Sequence, residues 1–259
     1  MPTILYSSPI FGPVHSRRLG VSLGINLQPA DGKTCTFDCI YCECGFNKEH
    51  TPKSSRPTRE QVAEALEKTL KEMKENKSHI DVLTFAGNGE PTSHPDFAKI
   101  IDDTINIRNR YFPTAKISVL SNSTFIHREE IRNALLKVDN NILKLDTADI
   151  EYIRKIDRPV NPSYNVGKII NSMKDFHGHL TIQTIFIKGE INNTDIDNTS
   201  DKYVSTWLEK IKEIKPKEVM IYTIDRETPV KTLRKASIEE LNRIRDLVIA
   251  EGIPCTASY

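Results

Sequence analysis

Three cysteines stand on one short stretch, Cys35-Thr-Phe-Asp-Cys39-Ile-Tyr-Cys42, in a C-x3-C-x2-C spacing. Thiolates are soft donors that suit iron–sulfur clusters and zinc. Three of them on a tight loop can hold three irons of a cubane and leave the fourth without a protein ligand. An open coordination position marks a catalytic metal rather than an architectural one. Two other readings stand beside this one: a closed structural zinc, and a ferredoxin-like electron-transfer cluster with Cys44 as fourth ligand. Zinc modules commonly use two separated C-x2-C knuckles, whereas Cys39 and Cys42 form a single such pair. The bacterial ferredoxin run orders its spacings differently. Cys42-Glu43-Cys44 is a short bite for two corners of one cubane, so Cys44 is read as a free thiol. Cys255 stands alone and is read as a small buried hydrophobe. With two cysteines beyond the motif, a second four-cysteine cluster cannot be built within the chain.

The elements that must position this loop are legible in the apolar patterning. Short aliphatic or β-branched runs at Val21–Leu27, Val82–Phe85, Ile117–Leu120, Ile142–Leu145, Leu180–Ile187 and Val219–Ile224 predict buried parallel strands. Amphipathic helices fall between them. Thr58 with Gln61 forms a capping box ahead of Val62, Leu66, Leu70 and Met73. Val166, Ile169, Ile170 and Met173 repeat the helical spacing, with Gly178 as a stop. Val204, Trp207, Leu208 and Ile211 make another such stripe, and Ser237 with Glu240 caps a last helix bearing Leu241, Ile244 and Val248. Residues 191–202 are polar and predict a surface loop. Strands alternating with helices predict an α/β fold with a parallel six-stranded sheet and right-handed crossovers. Either an open sheet or an incomplete barrel satisfies the pattern, and in both the reactive loops leave the C-terminal ends of strands. The cysteine run follows the first strand directly.

Bulk properties narrow the class. The chain has 259 residues, 38% hydrophobic and 27% charged, with 36 basic and 35 acidic residues for a net charge of +1. That is enough for one large domain, expected to span residues 1–259 with its core at about 20–250. So even a balance points neither toward nor away from a polyanionic partner. No apolar run is long enough to span a bilayer, and Met1 to Ile10 lacks a signal-peptide pattern. Four cysteines within ten residues cannot staple a domain, so a reducing, cytoplasmic compartment is expected. The histidines carry little signal: His177 and His179 flank a helix stop and His94 precedes a proline.

With Tyr41 in the aromatic position, C-x3-C-x-aromatic-C resembles the signature of the radical S-adenosylmethionine (radical SAM) superfamily. A second element, Thr84-Phe85-Ala86-Gly87-Asn88-Gly89-Glu90-Pro91, resembles that family's Gly-Gly-Glu-Pro element, with Asn88 inserted between the glycines. It is no dinucleotide fingerprint, because Gly-x-Gly-x-x-Gly fails at Thr92. The resemblance implies a partial (β/α)6 barrel of the TIM type holding a [4Fe-4S] cluster on Cys35, Cys39 and Cys42. It implies that S-adenosylmethionine chelates the fourth iron and is cleaved reductively, giving a 5′-deoxyadenosyl radical that abstracts hydrogen from a substrate. A one-electron reductant such as flavodoxin or ferredoxin is the implied partner. By the same resemblance the cofactor contacts are Tyr41 near adenine, the backbone of Gly87, Asn88, Gly89 and Glu90 at the methionine group, and Asn122 in Ser121-Asn122-Ser123 on the ribose. Asp146, at the end of the fourth strand, is a candidate ribose or substrate contact, and Gln183, a lone polar residue on the fifth, a candidate cofactor contact.

The segment from Gly12 to Gly20, with Gly87–Thr92 and Asp157-Arg158-Pro159, is similar to a branch that groups small radical SAM proteins with the wyosine base-forming enzymes of tRNA. Arg17 and Arg18 can clamp a carboxylate or phosphate, or simply face solvent. No cysteine precedes Cys35 to build an auxiliary cluster, and the chain ends soon after the sixth strand. A small molecule, peptide, tRNA or glycyl-radical protein all remain possible substrates.

Overall fold

The computed structural model describes residues 4–16, 18–191 and 193–259; Arg17, half of the expected arginine clamp, lies outside the described residues. Its strands are β1 (Ile10–Ser16), β2 (Gly20–Ile25), β3 (Val82–Phe85), β4 (Lys116–Ser121), β5 (Asn140–Lys144), β6 (Thr181–Ile185), β7 (Ile187–Ile191), β8 (Thr194–Asp197), β9 (Glu218–Tyr222), β10 (Arg234–Lys235) and β11 (Cys255–Ser258). Its helices are α1 (Arg59–Glu75), α2 (Phe97–Tyr111), α3 (Glu129–Leu135), α4 (Ile150–Ile156), α5 (Val166–Lys174), α6 (Asp201–Ile214) and α7 (Ile238–Ala250). The main sheet runs β1-β2-β3-β4-β5-β6-β9-β11, and every pairing from β2 to β11 is parallel.

All six expected strands stand side by side in chain order, as β2, β3, β4, β5, β6 and β9. The sheet then continues by one strand at each edge: β1 pairs antiparallel with β2, and β11 pairs with β9. The strands are buried on both sides, so their core-facing residues (Leu23, Ile25, Leu83, Phe85, Ile117, Val119, Leu143, Ile182, Val219 and Ile221) read as continuous apolar runs. The helices cover one face through the stripes visible in the sequence, with Val62, Leu66, Leu70 and Met73 of α1 and Leu241, Ile244 and Val248 of α7 buried. Both predicted capping boxes form.

The 191–202 stretch departs from the expected loop. Thr194–Asp197 pairs antiparallel with β7, and β10 adds to the other side of β7 in a small three-stranded sheet. Polarity misled here because Asn198 is buried yet fully used: its amide donates to Ile185 O at 2.8 Å and accepts from Ile187 N–H at 2.8 Å. Ile187 and Ile196 of this small sheet share an apolar cluster with Ile40 of the cysteine loop and Tyr152 and Ile156 of α4.

Candidate active site

The loop that leaves β2 is pinned at several points. Thr34 N–H donates to Asn88 O at 2.9 Å, Asp38 N–H to Asp157 O at 3.0 Å and Ile40 N–H to Ile156 O at 2.9 Å. Val160 N–H returns a bond to Thr36 O at 2.9 Å, and Phe37 bridges to Pro159. The Asp157-Arg158-Pro159 element therefore forms the wall that receives the cysteine loop. Asn47 closes the loop from the other side, donating to Cys35 O at 3.3 Å and Phe37 O at 3.1 Å.

Each motif sulfur has its own donor. Asn122 Nδ2 donates to Cys35 Sγ at 3.6 Å. Lys144 Nζ donates to Cys39 Sγ at 3.3 Å. Cys42 Sγ lies beside the Cys44 thiol and the Lys33 ammonium, and the Cys44 thiol leads in lowering its pKa to about 6. Burial pushes the Cys35 thiol up to about 11 and Cys39 higher still, so these two sulfurs need a bound cation or metal to ionise. Lys33 and Lys144 are both held charged: burial acts against them, and the surrounding cysteines and, for Lys144, the carboxylates of Asp146 and Asp157 outweigh it. A cubane places each thiolate on a different iron. This donor set, three separate sulfurs each facing a donor, fits such a cluster.

The glycine-rich turn after β3 lies against the start of the cysteine loop. Gly89 sits at φ +138°, and a Cβ there would stand 1.9 Å from Thr34 O. Only glycine satisfies both the dihedral and the contact. Gly89→Ala is therefore expected to displace Thr34 and Cys35 and to cut cluster content of the reconstituted protein at least about tenfold, read as iron and sulfide per chain. Asn88 is fully buried and its amide is committed within the protein, donating to Tyr6 O at 2.9 Å and Pro29 O at 2.8 Å. Glu90 is likewise engaged: its carboxylate accepts from Thr92 N–H at 3.0 Å, Ser121 Oγ at 2.9 Å and Asn122 N–H at 2.6 Å. It thus ties the end of β4 to the turn and orients Asn122. The Asn122 amide, expected on a ribose, faces Cys35 and Thr36.

Tyr41, Lys144, Asp146 and Asp157 form one buried polar group beneath the loop. The Tyr41 hydroxyl donates to Asp157 Oδ1 at 2.9 Å and also meets Asp146 and Lys144 Nζ. Lys144 pairs with Asp146 at 3.1 Å and with Asp157 at 2.5 Å. Burial first, and then Asp157, raise the Asp146 carboxyl above its usual range, with Lys144 opposing. Asp146 also accepts from Ile185 N–H at 3.0 Å, which fixes it at the mouth of β6.

The inner faces of the strands enclose a cavity of about 460 Å³. Cys42, Cys44, Gly87 and Gly89 form part of its wall, with Tyr41, Gln183 and Tyr222 elsewhere in the lining. Sequence reasoning did not single out Lys33, Lys144 or Tyr222. The strand alternation carried a signal for two of them, because Lys144 shares its side of β5 with Ile142, and Tyr222 its side of β9 with Met220, both lining the cavity.

The family model for the radical SAM superfamily matches residues 31–203, which include all three motif cysteines and the glycine-rich turn. The chain belongs to the radical SAM superfamily. Among its curated relatives, a UPF0026 protein of Methanocaldococcus jannaschii is 31% identical over 239 residues, covering 90% of this chain and 69% of that one. A Brachyspira hyodysenteriae protein named GTPase Obg is 31% identical over 245 residues, but this chain spans 33% of its length. The fold is that of radical SAM structures: a radical SAM methyltransferase from Sphaerobacter thermophilus superposes with a TM-score of 0.66 at 17% identity, over 92% of this chain and 66% of that one. TYW1 with a lysine-pyruvate adduct bound gives 0.59 at 14% identity, over 88% and 73%. This radical SAM enzyme thus has the expected curled α/β half-barrel, and no described helix is long and apolar enough to cross a membrane.

Proposed function

We propose that Cys35, Cys39 and Cys42 hold a [4Fe-4S] cluster and that the cavity beside it receives S-adenosylmethionine for reductive cleavage, with flavodoxin or ferredoxin as electron donor. When bound, this pair supplies a 5′-deoxyadenosyl radical able to take hydrogen from an unactivated position of the substrate. The observation that carries the reading is the donor beside each of the three sulfurs, on a loop that opens onto the strand-lined cavity. Asn122, Lys144 and Lys33 stabilise thiolate charge and tune the metal through it. Bare backbone at Gly87 and Gly89 lets an ammonium group approach without side-chain obstruction, with Gly89 O as acceptor, because Gly87 O already accepts from Gly89 N–H at 2.9 Å and Cys44 Sγ at 3.5 Å. Gln183 adds an amide on the cavity wall, and Tyr41 is held rigid by three polar partners. The side chains of Glu90 and Asn88 position these groups.

The test is chemical. Anaerobically reconstituted protein given dithionite and S-adenosylmethionine should form methionine and 5′-deoxyadenosine in equal amounts, and neither without reductant. A protein with an intact four-iron spectrum that leaves S-adenosylmethionine uncleaved contradicts the proposal.

A further inference from the structure

The cavity wall contains a cation that the cluster chemistry does not use. Arg18 lies in the turn between β1 and β2, where its N–H donates to Ser16 Oγ at 3.3 Å. Its guanidinium lies across the cavity wall on Tyr222, with Cζ 4.5 Å from the ring centroid. Nη1 is buried and has no hydrogen-bond partner. Arg226, also on this wall, is already engaged by Glu43 Oε2 at 2.5 Å and the Tyr6 hydroxyl at 2.8 Å. A guanidinium cannot shed its proton to escape burial, as a lysine can. A buried charged donor left without a hydrogen bond is unfavourable, and stacking on one tyrosine does not supply that bond. The remaining demand is for an oxyanion.

The geometry points to Arg18 as the receptor for a carboxylate or phosphate group of a small-molecule substrate bound in the barrel lumen. This rests on the radical reading above, since the lumen is substrate space only if the cofactor occupies its cluster side. The cavity, about 460 Å³, has the size of a small-ligand site, and Arg18 stands on its wall. Gln183 lines the same cavity and can hydrogen-bond a substrate's neutral polar atoms, while Arg18 fixes its charged end.

Calorimetric titration of inorganic phosphate and, separately, acetate into the reconstituted protein reads this directly. The wild-type protein should bind at least one of them at one equivalent per chain, and which one identifies the anion class. Arg18→Gln should weaken that binding at least tenfold, and Arg18→Lys, which keeps the charge but loses the planar stack, should fall between. Circular dichroism and cluster absorbance establish that each variant is folded. Absence of binding by wild type, or equal binding by Arg18→Gln, overturns the assignment. 5′-Deoxyadenosine formation by the same wild-type preparation is scored separately, so loss of the radical reading and loss of the anion site are distinct results.

Discussion

Anaerobically reconstituted Cys35→Ala, Cys39→Ala and Cys42→Ala proteins are each expected to lose the four-iron absorbance and more than about 100-fold of S-adenosylmethionine cleavage. Losing a ligand strips an iron of its protein sulfur, a larger effect than the roughly 10- to 100-fold typical of removing a group that only hydrogen-bonds a ligand. Two comparison variants set the scale. Asn122→Ala removes the donor at 3.6 Å from Cys35 Sγ and should cost roughly 10- to 100-fold. Cys44→Ala removes a buried thiol that donates to Gly87 O at 3.5 Å and lies beside Cys42, and should keep its cluster. If Cys44→Ala instead lost iron as completely as Cys42→Ala, Cys44 would be a ligand.

Lys144→Met should be the most destabilising single change near the site. The Lys144 side chain is 15% exposed and its partners Asp146 and Asp157 are 1% and 3% exposed. Removing the cation leaves two buried carboxylates facing each other, and breaking such a pair costs on the order of 3–5 kcal/mol. The pH dependence has a definite sign. Burial, and then Asp157, already hold the folded Asp146 pKa above its unfolded value, and loss of Lys144 raises it further. The folded state then binds more protons than the unfolded one, so stability falls as pH rises above the ordinary carboxylate range near 4. Urea unfolding of Lys144→Met should therefore show a larger loss at pH 8 than at pH 5. A loss that does not change with pH would mean that the carboxylates are not carrying the effect.

Much of this was legible because local chemistry and global fold agree. The C-x3-C-x2-C run, the six buried strands and the two capping boxes depend on nearby residues, and each stands where the sequence places it. What escaped depends on contacts between segments far apart in the chain. Asn88, Glu90 and Asn122 are cofactor contacts by resemblance alone, and their side-chain partners lie on other elements. Their partners Tyr6, Ser121 and Cys35 become visible once the strands are laid side by side. Lys144 is hidden by its apolar neighbours Leu143 and Leu145, yet the two-residue alternation places it with Asp146 on one side of the strand. The short edge strand β11 and the hairpin of β7 with β8 were missed because four-residue polar segments carry no periodic signal.

The central claim is a cubane held by three protein sulfurs with its fourth iron free for S-adenosylmethionine. Electron–nuclear double resonance on the reduced, reconstituted protein with ¹⁷O-carboxylate- and ¹⁵N-amino-labelled S-adenosylmethionine tests it most directly. Coupling of both labels to the cluster is the predicted result. A spectrum without either coupling, unchanged by the cofactor at saturating concentration, would contradict it.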